Sequence, residues 1–472
     1  MSIKNILTPL IKTNKNLCEA VNTDFGAVFS STPIGVANPK NCDELMQVIK
    51  YCYDNNISVI SRGMSHSASG QCLSKNGVVI DTKMLNKIHD FNFDGKVGKI
   101  TVDAGVTWEK LVKYTLQHGA APEVLTDWQK LTVGGTISTG GLGFMSHQSG
   151  IQADLIIEMD VVTGSGELLT CSNEQNVELF NLVRGGLGQY GVIAKLTIKL
   201  IKAPKKMHVS KMLISDTRVF HQTISEHVKS GVYSCIHSFL IPHKQSEFIK
   251  KFGFSAYELY KNEFELLENS GSFSYFVELV QYQYDSEFTL AKPIDNKFYY
   301  YEQDDFFEYV TKEPPLISTQ KEKGRTSHPE LAVFIAASKF EEFMKDFLMQ
   351  HNDEDMGDGP VLIMPITANN IKESAFVGLQ TDFYFIGILR NAYPNTEENI
   401  KTLTKLNEKI YQKALALNGK RYPCDSLAFP ASKAEWQIHY GDKWEDIVQG
   451  KAKYDPKYTL KSLLTIHHHA SA

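Results

Sequence analysis

The chain has 472 residues and a formal charge of −5, with 54 acidic side chains against 49 basic ones. That length exceeds what one ordinary core organises and predicts two or three domains. So even a charge balance, with no basic tract, argues against nucleic acid as the partner, and no apolar run is long enough for a helix that spans a bilayer.

The opening residues, MSIKNILTPLIKTNKNLC, have no long apolar segment and no small-residue cleavage site, so they predict a cytoplasmic protein. From 32 to 200 the pattern alternates between strand and helix. Asn41 followed by Glu44 predicts a capping box, and Leu45, Val48, Ile49 and Cys52 continue at helical spacing. A strand over 57–60 leads into the loop SRGMSHSASGQ. A second strand around 100–102 precedes a helix with Trp108, Leu111 and Val112 on one face. DLIIEMDVVTGSGELLT reads as strand, glycine turn, strand, the pattern of a hairpin. IAKLTIKLI alternates, placing Ala194, Leu196, Ile198 and Leu200 on a buried face.

After KAPKK (202–206) glycine turns thin out and aromatic residues become dense. GSFSYFVELVQYQY and TDFYFIGILRNAY predict strands of a second sheet. From about 420 the composition returns to that of the first part. The order predicts an α+β protein with a first domain over 1–203, a second over 204–419, and a segment, 420–472, that rejoins the first. Seven dispersed cysteines without C-x-x-C spacing predict neither a disulfide framework nor a metal site, and His467, His468 and His469 read as a tail.

Three glycine-dense segments carry the chemistry: RGMSHSASG, TVGGTISTGGLGF and RGGLGQYG. Unobstructed backbone N–H groups that converge form a nest for pyrophosphate. None of the three matches the G-x-G-x-x-G or G-x-x-x-x-G-K-[ST] fingerprint. Each alone reads as a tight turn; three in one α+β domain predict a dinucleotide bound by loops. His66, inside the first, reads either as a turn histidine bonded to a carbonyl or as a group turned to that ligand.

In chain order, RGMSHSASGQ, TDWQKLTVGGTIS, EMDVVTGSGELLTCS, LVRGGLGQYGVIAK and WQIHYGDKWE…KYDP resemble the cytokinin dehydrogenases, FAD enzymes of the vanillyl-alcohol-oxidase type. The likeness covers most of 25–200 and 430–457. It implies the two-domain FAD-binding fold shared with p-cresol methylhydroxylase, with an antiparallel-sheet substrate domain. It also implies FAD joined covalently, through the 8α carbon of its ring, to His66. Ser61, Gly63, Met64, Ser65, Ser67 and Gln71 would surround the diphosphate. Thr132, Ser138, Leu142, Ile193 and Asp127 match further FAD positions. The implied reaction cleaves isopentenyladenine-type purines to adenine and an unsaturated aldehyde, with oxygen or a quinone as electron acceptor.

The resemblance gives Asp127 to the substrate amine; its other reading is a cap or turn aspartate in VLTDWQK. It gives Glu278 to the purine ring, and alternation puts Phe276, Glu278 and Val280 on one strand face. A carboxylate among apolar neighbours needs a partner, although an exposed edge strand also explains it. Three departures stand out. Ser65 replaces the family's glycine before the histidine, Ser426-Leu427 replaces Tyr-Leu, and KYTLKSLLTI replaces Ser-Pro-Gly-Gln after YDP. Two other readings stay open: a flavin oxidase of the same fold acting on a sugar, lactone or alcohol, and a purine-binding relative without turnover.

Overall fold

The computed structural model describes residues 9–242, 273–291, 299–311 and 326–463, apart from 353, 357, 358, 373, 379 and 425–432. Ser426, Leu427 and the histidines 467–469 lie outside the described residues. Among the described residues the strands form three sheets. The first has the order Ile11–Lys12, Gly35–Ala37, Val78–Asp81, Val59–Arg62, and its last three strands are parallel. The helix Cys42–Asp54 connects two of them and buries Leu45, Val48, Ile49 and Cys52. Asn41 accepts from the Glu44 N–H at 2.9 Å, but the Glu44 carboxylate reaches back to the Lys40 N–H, one residue beyond a capping box. The strand expected at 57–60 runs Val59–Arg62 instead, because the helical carbonyl of Cys52 takes the Ile57 N–H at 2.8 Å.

The second sheet is antiparallel, in the order Ile88–Phe93, Val97–Asp103, Gly191–Lys202, Ile156–Thr163, Leu168–Ser172. Its last two strands are the expected hairpin. Leu196, Ile198 and Leu200 pack with Ile100, Val102 and the helix residues Trp108, Leu111 and Val112. Ala194 is buried too, but not on that face. A register shift between Ile193 and Lys195 turns Ala194 into the core of the first sheet and keeps Ile193 with the other core.

The third sheet has eight antiparallel strands: Tyr299–Asp305, Lys206–Ile214, Phe273–Gln283, Cys235–Pro242, Val361–Ile366, Phe383–Ile388, Leu331–Ala336 and Lys420–Arg421. One face, with Tyr275, Val277 and Leu279, packs on residues of the helices Thr217–Ser230, Phe340–Gln350 and Glu397–Ala416. The other face, with Phe276, Val280, Phe334 and Phe385, shares the core of the second sheet. Period-two alternation therefore assigns the two faces to two different cores.

Beyond Lys420–Arg421 the chain returns to the first part. Buried Lys451 donates to the carbonyls of Gln189 and Leu460, each at 2.8 Å, and pairs with Asp455 at 2.7 Å. Residues 459–461 then bond both ways to Val59, at 2.7 and 2.8 Å. No helix among the described residues is long and apolar enough to cross a membrane.

Candidate active site

A cavity opens where the three sheets meet. Ser61, Gly63, Met64, Ser65, His66, Ser67, Gln71, Asp127, Thr132, Ser138, Leu142 and Ile193 all line it. Three separate stretches of chain thus bring their expected ligand residues to one space. The large sheet closes the far side with Leu331, Leu362, Met364, Phe385 and Tyr422. Tyr422 meets Phe334, Phe376 and Phe385 edge-on, with centroids 6.0, 6.1 and 5.6 Å apart, giving an apolar wall for a planar ring.

The loop after Val59–Arg62 is shaped by close approach. A Cβ at Gly63 would stand 2.1 Å from Thr132 Oγ1, so only glycine lets the first and second glycine-dense segments touch. Ser65 adopts φ +58°, the left-handed region in which a side chain costs about 1 kcal/mol relative to glycine. Its carbonyl accepts from the Phe25 N–H at 2.8 Å and that of Ser67 from Gly26 at 3.2 Å, which hold the turn. The N–H groups of Met64, Ser65, His66 and Ser67 donate to no acceptor among the described residues. A run of free N–H groups in a left-handed turn is the nest that a diphosphate fits. Gln71 lines the cavity, but its amide is committed to protein: it accepts from the Ser69 N–H at 2.9 Å and donates to the Pro423 carbonyl.

His66 is half-buried, its accessible part facing the cavity. Phe25 packs on it at 4.1 Å and Trp128 meets it edge-on at 4.4 Å; Phe25 in turn stacks on His328 at 4.4 Å. Burial first, then repulsion from His328, pulls the His66 pKa down to about 3. The imidazole is therefore neutral at physiological pH and keeps the lone pair that attack on an electrophilic flavin carbon requires. Loop, nest and neutral imidazole all fit FAD.

Asp127 is exposed, but to the cavity, whose walls enclose it. That enclosure raises its pKa, while His237 and the N–H groups of Asp127 and Trp128 pull the other way. The helix that follows, Val133–Thr139, has Thr132 at its N-cap, so Asp127 is not a cap residue.

Glu278 does not line the cavity. The edge-strand expectation is overturned, because Phe273–Gln283 lies between Lys206–Ile214 and Cys235–Pro242. In that register Glu278 sits opposite Lys211 on one side and His237 on the other. It is buried, 3.1 Å from His237 Nδ1 and 3.5 Å from Lys211 Nζ, and Lys211 also pairs with Glu302. Burial alone would raise its pKa; the His237 hydrogen bond and the Lys211 charge outweigh it and hold the carboxyl below its ordinary value. Sequence reasoning missed Lys211, His237, Trp128, Phe25 and His328. Trp128 alone carried a signal, standing next to Asp127.

Comparison with known proteins bears on this arrangement. The family model "FAD binding domain" matches residues 33–172, and the model "Cytokinin dehydrogenase 1, FAD and cytokinin binding" matches 265–466. Cytokinin dehydrogenase 3 of Arabidopsis thaliana is 30% identical over 478 residues, which cover 95% of this chain and 88% of the relative. An uncharacterized oxidoreductase, ORF5 in the fasciation locus of Rhodococcoides fascians, is 29% identical over 447 residues, 93% of this chain and 94% of the relative. Cytokinin dehydrogenase 1 of Arabidopsis thaliana is 27% identical over 463 residues, 92% and 79% of the two chains.

Proposed function

The chain belongs to the cytokinin dehydrogenase family, with the two-domain α+β FAD-binding fold of the vanillyl-alcohol-oxidase type, and from that premise we propose that it cleaves isopentenyladenine-type cytokinins to adenine and an unsaturated aldehyde. The observation that carries the reading is that Asp127 and His66 wall one cavity, with an aromatic surface around Tyr422 on its far side.

FAD, when bound, supplies the acceptor for a hydride from the carbon beside the exocyclic amine. His66 would hold the cofactor, and the N–H groups of Met64, Ser65, His66 and Ser67 would hold its diphosphate. The wall formed by Leu362, Phe385 and Tyr422 excludes water and seats the flat purine. Asp127 accepts a hydrogen bond from the amine N–H, offsets the positive charge that grows on that nitrogen, and takes its proton. A carboxylate does this best where water is excluded, since its interaction with a developing charge is then least screened. Water then hydrolyses the imine. Oxygen or a quinone would be the final electron acceptor.

The test is an anaerobic absorbance spectrum of the purified holoprotein with isopentenyladenine. Bleaching of the flavin band is expected. A spectrum unchanged by isopentenyladenine but bleached by a sugar, lactone or alcohol would move the protein to another substrate class.

A further inference from the structure

Glu330 stands just before the strand Leu331–Ala336, half-buried, and lines the cavity. Alternation along that strand gives Val333 and Ile335 to the core beneath the helices, and Ala332 and Phe334 to the core shared with the second sheet. Glu330 is in phase with Ala332 and Phe334 and so extends the cavity face by one more step. Leu331 pairs with Ile388, which brings Glu330 to the end of the ladder beside Leu389, another residue of the wall. Among the described residues that line the cavity, only Asp127 and Glu330 carry a carboxylate. On the side of the large sheet, Glu330 is the one charged group in a wall otherwise made of residues such as Leu362, Met364, Phe385 and Tyr422.

Its place along the wall bears on which part of a substrate it meets. The chain leading into Glu330 is tied to the corner of His66: the His328 N–H donates to the Gly26 carbonyl at 2.7 Å, and the His328 ring stacks on Phe25, which packs on His66. Trp128, next to Asp127, packs on the same histidine. In the reading above the flat purine lies on Leu362, Phe385 and Tyr422, with its exocyclic amine at Asp127. The substituent on that amine is then left the space that Glu330 faces.

A ligand that fills this space displaces water from Glu330. A plain isopentenyl tip offers nothing in return, and a carboxylate desolvated without a partner is costly. A hydroxyl at that tip donates a charge-assisted hydrogen bond, the stronger kind. A carboxylate has two oxygens and about four acceptor sites, so protein contacts and a ligand can share it.

We propose that Glu330 is a specificity-determining residue: it accepts a hydrogen bond from a hydroxyl on the cytokinin side chain, so that hydroxylated side chains are oxidised in preference to isopentenyl ones. This rests on the cytokinin reading above. No bond is made or broken at Glu330, and the proton of the amine still goes to Asp127.

The measurement is anaerobic single-turnover flavin reduction of the holoprotein by two substrates. One is isopentenyladenine; the other is trans-zeatin, the same purine with a hydroxyl at the tip of its side chain. The ratio of limiting rate to half-saturation should favour trans-zeatin by about tenfold or more in wild type. Glu330→Leu, which continues the apolar wall, should bring that preference below about threefold, mainly by loss with trans-zeatin. If wild type shows no preference, the proposal is overturned while the cytokinin reading stands. It is overturned too if Glu330→Leu keeps the preference, whether by losing nothing or by losing both substrates equally, as a contact with the shared purine would. If neither substrate reduces wild type, the cytokinin reading fails and this proposal with it. Should the leucine variant not retain FAD, Glu330→Gln takes its place, and its preference should fall by about threefold, since the amide keeps the shape but not the charge. An unchanged preference in that variant overturns the proposal as well.

Discussion

Trp128 meets His66 edge-on, ring centroids 4.4 Å apart, so the residue next to Asp127 packs on the histidine proposed to carry the flavin. The groups proposed for cofactor attachment and for substrate chemistry thus share one packed unit. If His66 is the tether, FAD should remain with the polypeptide after acid precipitation, and the fluorescence of the washed pellet measures it. His66→Ala should move that fluorescence to the supernatant while the native variant still binds some FAD through the loops. Wild-type flavin found wholly in the supernatant would reduce the site to a non-covalent one.

Ser65 holds a left-handed backbone at φ +58°. Glycine is free of that strain, although it gives back part of the gain by loosening the unfolded chain. Ser65→Gly should therefore raise stability by up to about 1 kcal/mol in urea titration and incorporate added FAD faster. A variant less stable than wild type would mean that the serine side chain holds the turn by a contact worth more than the strain.

Asp127→Asn preserves size and most hydrogen-bonding shape but neither charge nor proton affinity. The variant should stay folded and yellow, and its single-turnover reduction by isopentenyladenine should slow by a factor of about 10² to 10³. Bleaching at the wild-type rate would return Asp127 to a turn residue and take from the cytokinin reading its most specific side chain.

Glu278 answers to two protein partners, so removing it exposes their dependence on it. Glu278→Ala leaves buried Lys211 with Glu302 alone and His237 Nδ1 without an acceptor. Loss of one member of a buried ion pair costs about 3 kcal/mol or more, which urea unfolding would read. A raised KM with unchanged stability would instead favour a direct contact between Glu278 and the purine.

The sequence made the ladder of elements legible wherever one face is buried. Leu45, Val48, Ile49 and Cys52 repeat at helical spacing, and the hairpin after Asp154 announces its own turn. The twelve residues now lining the cavity were found because small residues in three dense segments leave backbone free, and a family pattern numbered them. Face assignment failed at Ala194, because a bulge is a one-residue event that leaves alternation intact on both sides. The row of Lys211, Glu278 and His237 was illegible for another reason. Its members lie 67 and 41 positions apart along the chain, and only cross-strand register brings them together. His328 had no periodic setting at all, yet it stacks on the ring that braces His66.

Val59–Arg62 is the outer strand of its sheet, and residues 459–461 are what cover its free side. The strand leads straight into the loop of His66, so the footing of that loop is finished by residues synthesised long after it. On the ribosome, the first 200 residues emerge long before the segment that completes them, and the eight-stranded sheet is made in between. The outer edge of that strand stays open until residues 459–461 have been made. A chain stopped anywhere before residue 459 would carry an open sheet edge of the kind that pairs with other chains.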